Sequence, residues 1–548
     1  MAGYTFDLGR YTRGITGNAA AQTWFDRGLV WTYGYCHEEA VRCFQRAAEA
    51  DPACAMAHWG VAYASGPNYN LPWHLFDARM KAEGLARAYD ATEAALALVD
   101  TATPAEAALI RALPARYPQR TPIKDQDPWN DAYCDAMRAV LAAFPTDLDI
   151  TAIFAESIMN RTPWKMWDLA AGGPAEGAGT AEAQAVLEQA FETPVAWDHP
   201  GLLHLYVHLM EMSPFPERAL RQGDRLRDLV PDAGHLIHMP THIDVLCGNY
   251  RDVVSYNQAA SIRDEMFAAE VGTTNLYTGY RIHNYHFAIY GAMFLGQFRP
   301  AMAAAEALIA AIPEDFLRID SPPFADFFEG YVAMKQHVLV RFGRWEQIIA
   351  QDLPADPELY AVTTAMTLYA KGVAHSARGE VAQAEIAQAA FLEAQAQVPK
   401  ARRVHNNRVR DLLEIAAAML AGELEYRRAN YDTAFDHLRR AVALDDGLPY
   451  DEPWGWMQPA RHALGALLLE QGEVAEAEAV YRADLGLDPT LARACQHPGN
   501  VWALHGLYEC LSRRGDTVEA RHIKLQLDQA QARADQPVRA SCLCRQVA

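Results

Sequence analysis

Apolar residues recur every three to four positions over most of the chain, and runs of strict alternation with β-branched residues are few. That period is the one an amphipathic helix needs to turn a single face toward a core. Glycine and proline punctuate it, so the pattern predicts short helices joined by tight turns rather than a sheet. The first pair is the clearest. Trp24, Gly28 and Trp31, then Ala40, Phe44, Ala47 and Pro52, fall on the small and aromatic positions of a helix–turn–helix repeat of about 34 residues. Leu464, Gly465, Ala477, Tyr481 and Pro489 fit the same template, with Gly472-Glu473 as the turn. Gly422, Ala434, Leu438 and Ala441 give a weaker copy, and Gly296-Gln297 precedes Ala301, Ala305 and Pro313 at the same spacing. Gly248-Asn249-Tyr250, Gly343-Arg344-Trp345 and Gly515-Asp516 read as further inter-helix turns.

The fold class this predicts is all-α: a tetratricopeptide-repeat-like, right-handed helical solenoid of about ten to twelve helix pairs, continuous over residues 1–548. Within it the N-terminal repeats are assigned to 20–150, central repeats to 151–315, C-terminal repeats to 316–535 and a mobile tail to 536–548. Three aromatic or Gly- and Pro-rich segments interrupt the period, at 66–73, 162–179 and 272–279. Insertions in a repeat array project on one face, often the binding face.

Charge narrows the class of partner. A net charge of −21, from 48 basic and 69 acidic residues, argues against nucleic acid and anionic membrane surfaces, which need clustered cations. The first 18 residues hold no apolar run of signal-peptide length, and no apolar run is long enough to span a bilayer. A cytoplasmic protein is expected. Nine cysteines without a framework fit reduced thiols, with Cys542-Leu-Cys544 as the one spacing suited to a soft metal.

Histidine changes the picture most. Seven of the 19 histidines lie between residues 204 and 286: His204 and His208, then His235, His238 and His242, then His283 and His286. The steps from 204 to 238 and from 208 to 242 both equal the repeat length. Spacings of three and four stack side chains on one helix face, so paired imidazoles are predicted on the first helices of consecutive repeats, along the inner surface. Pro240 is predicted to kink or delay its helix. Imidazole-rich sets suit copper, iron and zinc; copper is favoured, as one or two ions, and no HExxH motif supports a zinc peptidase. Glu211, one turn after His208, and Glu156 on the preceding repeat, with Asn160 four residues on, are candidate acid–base groups or further ligands. Tyr206, Tyr280 and Tyr285 flank the histidines, with Tyr280 a candidate proton donor. Asp198 and Asp244 are weaker candidates, and Tyr69, Trp73, Trp164 and Trp167 are placed as a roof.

Several of these segments also carry a family resemblance. Ala40–Pro52 with 54–60, Gly66-Pro67-Asn68, Ala155-Glu156 with Pro163-Trp164, 234–243, Glu476-Ala477-Glu478 and Cys542-Leu-Cys544 resemble a bacterial family of tetratricopeptide-repeat proteins over nearly the whole length. The histidines at 235–242 and His283-Asn-Tyr-His286 are more distantly similar to the tetratricopeptide repeat protein 38 family, here without the spacer residue of its H-N-Y-x-H element. The resemblance implies a helical-repeat fold and transfers no activity.

The sequence therefore predicts a metalloenzyme acting oxidatively on a small-molecule substrate, with a metal-dependent hydrolase as the alternative. A non-catalytic scaffold gripping peptides in its groove is the other class, for which Arg402, Arg403, His405, Asn406, Asn407 and Arg408 form a basic, amide-rich cluster. A homo-oligomer is compatible with either.

Overall fold

Helix–turn–helix pairs build the chain, as the apolar period requires. The structure is a computed structural model that describes residues 4–545. Ala19–Tyr33 pairs with His37–Ala50, Ala55–Ala64 with Ala78–Ala97, Pro104–Arg116 with Asp127–Ala143, and Leu148–Met159 with Thr180–Ala190. Later pairs include Thr278–Phe294 with Phe298–Ala310, Ala361–Ala377 with Val381–Gln397, Val409–Arg427 with Tyr431–Asp446, Ala460–Gln471 with Val474–Asp484, and Val501–Arg514 with Thr517–Gln531. The fold is all-α and tetratricopeptide-repeat-like. Its named strands, among the described residues, are two-residue ribbons: Trp167–Asp168 with Gly173–Pro174, and Arg403–Val404 with Asn407–Arg408. Among the described residues, no helix is long and apolar enough to cross a membrane.

Local chemistry sets the helix starts. The Asn18 side chain accepts from the amides of Ala20 and Ala21, and Thr103 and Glu106 form a reciprocal capping box. Between helices, an aromatic or leucine from the second helix enters a notch left by glycine on the first, sixteen residues earlier. Phe44 sits on Gly28, Leu438 on Gly422 and Tyr481 on Gly465. Phe44 also fills the notch of Gly60 on the next repeat, as Tyr481 fills that of Gly506; a Cβ on Gly60 would come within 2.4 Å of the Phe44 ring.

Contacts divide the chain into two compact units. The first runs to Ile243 and adds Ile262–Phe267; the second takes Asp244–Ser261 and the chain from Ala268 onward. Within the first unit the row of helices meets its own beginning: Ala19–Tyr33 packs against Pro200–Glu211. Gly201 permits the approach, since a Cβ there would lie 2.5 Å from the Tyr33 ring. The segment before the first helix ties several repeats together. Arg13 pairs with Asp147 and Asp149 at 2.7 and 2.8 Å, Tyr11 donates to Asp149 at 2.7 Å, and Thr16 donates to Glu106 at 2.7 Å.

In the second unit the segment expected to be a mobile tail is packed. Val538, Ala540, Ser541 and Cys544 are buried, while 546–548 lie outside the described residues.

Gly60→Ala forces the Phe44 ring out of a rotamer shared by two repeats. A loss of roughly 1–3 kcal/mol is expected from such overpacking, read as a lower unfolding midpoint in urea. An unchanged midpoint would refute the shared notch.

Candidate metal centre

The helix Pro200–Glu211 carries His204, His208 and Glu211 and is buried on every side. Proline at its first position needs no hydrogen-bond partner, and the His199 ring caps the amide of Leu202. The next histidines lie on two short helices, Gly234–His238 and Pro240–Cys247. The break is the expected effect of Pro240, with His238 and His242 on either side of it. His204, His208, His235, His238 and His242 are between 0 and 2 % exposed.

They form a closed circuit. Ring centroids are 4.7 Å apart for His204–His208, 5.8 Å for His208–His242, 4.7 Å for His242–His238, 5.9 Å for His238–His235 and 4.9 Å for His235–His204. Glu211 sets their tautomers. One carboxylate oxygen accepts from His208 Nδ1 at 2.9 Å and the other from His242 Nδ1 at 2.5 Å. The Tyr33 carbonyl accepts from His204 Nδ1 at 2.6 Å. Each of these three rings therefore turns an Nε2 lone pair away from its Nδ1 anchor. His242 Nε2 then accepts from His238 Nε2 at 2.7 Å. One ring nitrogen from each of His204, His208 and His235 lies within 4.8 Å of the others, and His208 Nε2 has no hydrogen-bond partner among the described residues. Burial first, and then the neighbouring imidazoles, push the pKa of His208 and of His235 well below the ordinary histidine value, so both rings are neutral.

Tyr35 is the residue that sequence reasoning missed. Its ring lies 4.6 Å from His204, 5.8 Å from His208 and 5.9 Å from His235. It occupies the turn between Ala19–Tyr33 and His37–Ala50 with φ of +55°. In the corresponding turns that left-handed position is glycine at 248, 296, 343, 379, 472 and 515, and alanine at 429. A side chain there costs roughly 1–2 kcal/mol. The signal in the sequence was a large side chain where most other turns place glycine. The expected roof is partly present: Tyr69 stands 4.9 Å from His208, and its hydroxyl accepts from the Trp164 amide at 3.1 Å. Trp167 anchors to the Leu209 carbonyl. Trp73 instead packs with Phe76 and Trp129.

Glu156 is buried and accepts from Tyr63, with burial raising its carboxyl pKa. Among the described residues no hydrogen bond or ring contact joins Glu156 or Asn160 to the five imidazoles. Tyr206 donates to Glu188, and Asp198 pairs with Arg225 at the surface. His283, His286 and Tyr280 belong to the second unit, on the helix Thr278–Phe294. There His286 Nε2 donates to the Met457 sulfur at 2.9 Å, His283 is 3.9 Å from Glu452, and Tyr280 meets Tyr277. The basic cluster is consumed internally. Arg402 donates to Leu359 O, Arg403 to Asn406 O, Asn407 to Asp451 and Arg408 to Asp411, and His405 pairs with Asp451. His497, read from sequence as structural, joins His462 on the buried Asp484, each at 2.8 Å.

No protein-family model matches the chain, and no curated protein matches it. Among solved structures it is similar to the APC/C hetero-tetramer Cut9-Hcn1, at 13% identity over 93% of this chain and 76% of that one, with a TM-score of 0.31. It is also similar to the P58(IPK) TPR domain, at 14% identity over 83% of this chain and 99% of that one, with a TM-score of 0.20. The helix pairs themselves, not these likenesses, define the fold.

In the second unit, burial pushes His286 and His337 down to about 3. Between that value and the ordinary 6.5 the unfolded chain binds protons that the fold excludes, so stability falls as pH falls through this window. By pH 5 each ring contributes a loss of about 2 kcal/mol. His337→Gln should remove one such share of the difference between urea unfolding at pH 7.5 and pH 5. Full retention of the acid sensitivity by the variant would contradict the assignment.

Proposed function

We propose that the first unit is a transition-metal-binding helical-repeat scaffold, with an ion held by His204, His208 and His235 and oriented by Glu211. The observation that carries this reading is the Glu211 carboxylate taking the Nδ1 protons of two imidazoles. Carboxylate–histidine pairs of this kind fix ring orientation and raise ligand basicity in metal sites. Neutral, buried rings are also the protonation state that ligation requires. Nitrogens each about 2.0–2.1 Å from a common ion stand at most about 4.2 Å apart. The observed spacing within 4.8 Å thus calls for only small ring movements. A set of imidazoles suits copper, iron or zinc, and the affinity order of divalent ions favours copper.

The second reading is enzymatic: oxidative chemistry on a small molecule at the same centre. The strained placement of Tyr35 against three of the imidazoles favours it, because backbone strain of this kind gathers at functional sites.

Protein prepared without a polyhistidine tag is expected to bind a first-row transition metal stoichiometrically by elemental analysis. Glu211→Gln should weaken that binding by about 10–100-fold with far-UV circular dichroism unchanged. The pair His208→Ala with His242→Ala should abolish it. Failure of the wild-type protein to bind copper, iron or zinc would sink the proposal, and loss of helicity in the double variant regardless of metal would make the imidazoles purely structural. For the second reading, copper-loaded protein that does not cycle between ascorbate and air would exclude it.

A further inference from the structure

The C-terminal Cys542-Leu543-Cys544 segment plays no part in the imidazole site, yet the second unit holds it firmly. Tyr481 donates to Ser541 Oγ at 2.5 Å, and that hydroxyl donates to the His462 carbonyl at 2.9 Å. Arg341 donates to the Ser541 carbonyl and Arg427 to the Cys544 carbonyl. Arg545 pairs with Glu509 at 2.7 Å. The two cysteines are joined as a disulfide with Cα atoms 5.3 Å apart. They are not equivalent. Cys542 is partly exposed, whereas Cys544 is 1 % exposed. The Cys544 amide donates to Cys542 Sγ at 3.2 Å, a bond that favours a thiolate on the accessible sulfur. The Glu423 carboxyl is buried, and one of its oxygens lies within 4.8 Å of both sulfurs.

We infer that Cys542 and Cys544 form a thiol–disulfide exchange site, with Cys542 as the attacking thiol, Cys544 as the resolving thiol and Glu423 as the proton acceptor for Cys544. The substrate class is a disulfide reachable from solvent, of a small molecule or of a partner protein. In the oxidising direction the Cys542 thiolate attacks one sulfur of that disulfide, breaking its S–S bond and releasing one thiolate, which takes up a proton. Cys544 then passes its proton to Glu423 and attacks Cys542 Sγ, releasing the second thiol. Two electrons pass from the cysteine pair to the incoming disulfide, which leaves as two thiols. Burial holds the Glu423 carboxyl up at about 7, with Arg427 opposing the rise, so at neutral pH it can both accept and return that proton.

The test uses the full chain, reduced and then treated with glutathione disulfide, and read by peptide mass spectrometry. In the reduced protein Cys542 should alkylate at least tenfold faster than Cys247, the other partly exposed cysteine. Wild-type protein should lose two hydrogens within the peptide holding Cys542 and Cys544 and accumulate no glutathione adduct. Cys544→Ser should trap glutathione on Cys542, and Glu423→Gln should lengthen the life of that adduct several-fold in a chain that keeps both cysteines. A persistent adduct on wild-type Cys542, or labelling no faster than Cys247, would overturn the inference. So would protection of both thiols by one equivalent of zinc with no disulfide formed, which would make the pair a metal site.

Discussion

The first unit is organised around one buried carboxylate. Glu211 has no exposed surface, and a carboxylate taken from water costs several kcal/mol unless its oxygens are paired. Its partners are imidazoles from two different helices, Pro200–Glu211 and Pro240–Cys247. That demand fixes the separation of the helices, the rotation of each about its axis and the tautomer of each ring. The break at Pro240 is local in origin, since proline ends the helical run begun at Gly234. Once the two rings are oriented, the remaining three close the circuit.

A second carboxylate between two histidines shows what distinguishes the site. Asp484 also bridges two imidazoles, and His462 with His497 outweighs the effect of burial to hold its carboxyl low. There the outer nitrogens are satisfied: Arg341 reaches His462 Nδ1 at 3.2 Å and Tyr290 lies 3.0 Å from His497 Nε2. That chain ends in ordinary donors and reads as core. Around Glu211 the next groups are further imidazoles, packed ring against ring.

Much of this was legible in the chain. The repeat positions Gly28, Phe44, Gly465 and Tyr481 and the turns at Gly296, Gly343, Gly472 and Gly515 follow from local spacing, which helices obey. The register of His204 and His208 with His238 and His242 anticipated the clustering of their rings because equal helical offsets place side chains at equal heights. What local spacing cannot carry is the meeting of non-neighbouring helices. Ala19–Tyr33 comes to Pro200–Glu211 through Gly201 and the ties of Arg13 and Tyr11, and it brings Tyr35 and the Tyr33 carbonyl with it. Glu156 was placed by analogy of spacing alone, and its real partner is Tyr63. The tail misled because Ser and Cys near a terminus look solvated until an internal Tyr481 and Arg341 claim them.

The aromatic wedges bear on how the molecule comes apart. In a linear array each repeat can fray alone, and stability is a sum of separate terms joined by interfaces. Phe44 belongs to two repeats at once, since Gly28 and Gly60 both close on its ring, and Tyr481 does the same for Gly465 and Gly506. Neither neighbour can open without leaving a ring-sized void in the other. The interface term at each of these junctions is then carried by a single side chain, which couples the opening of the two repeats it joins.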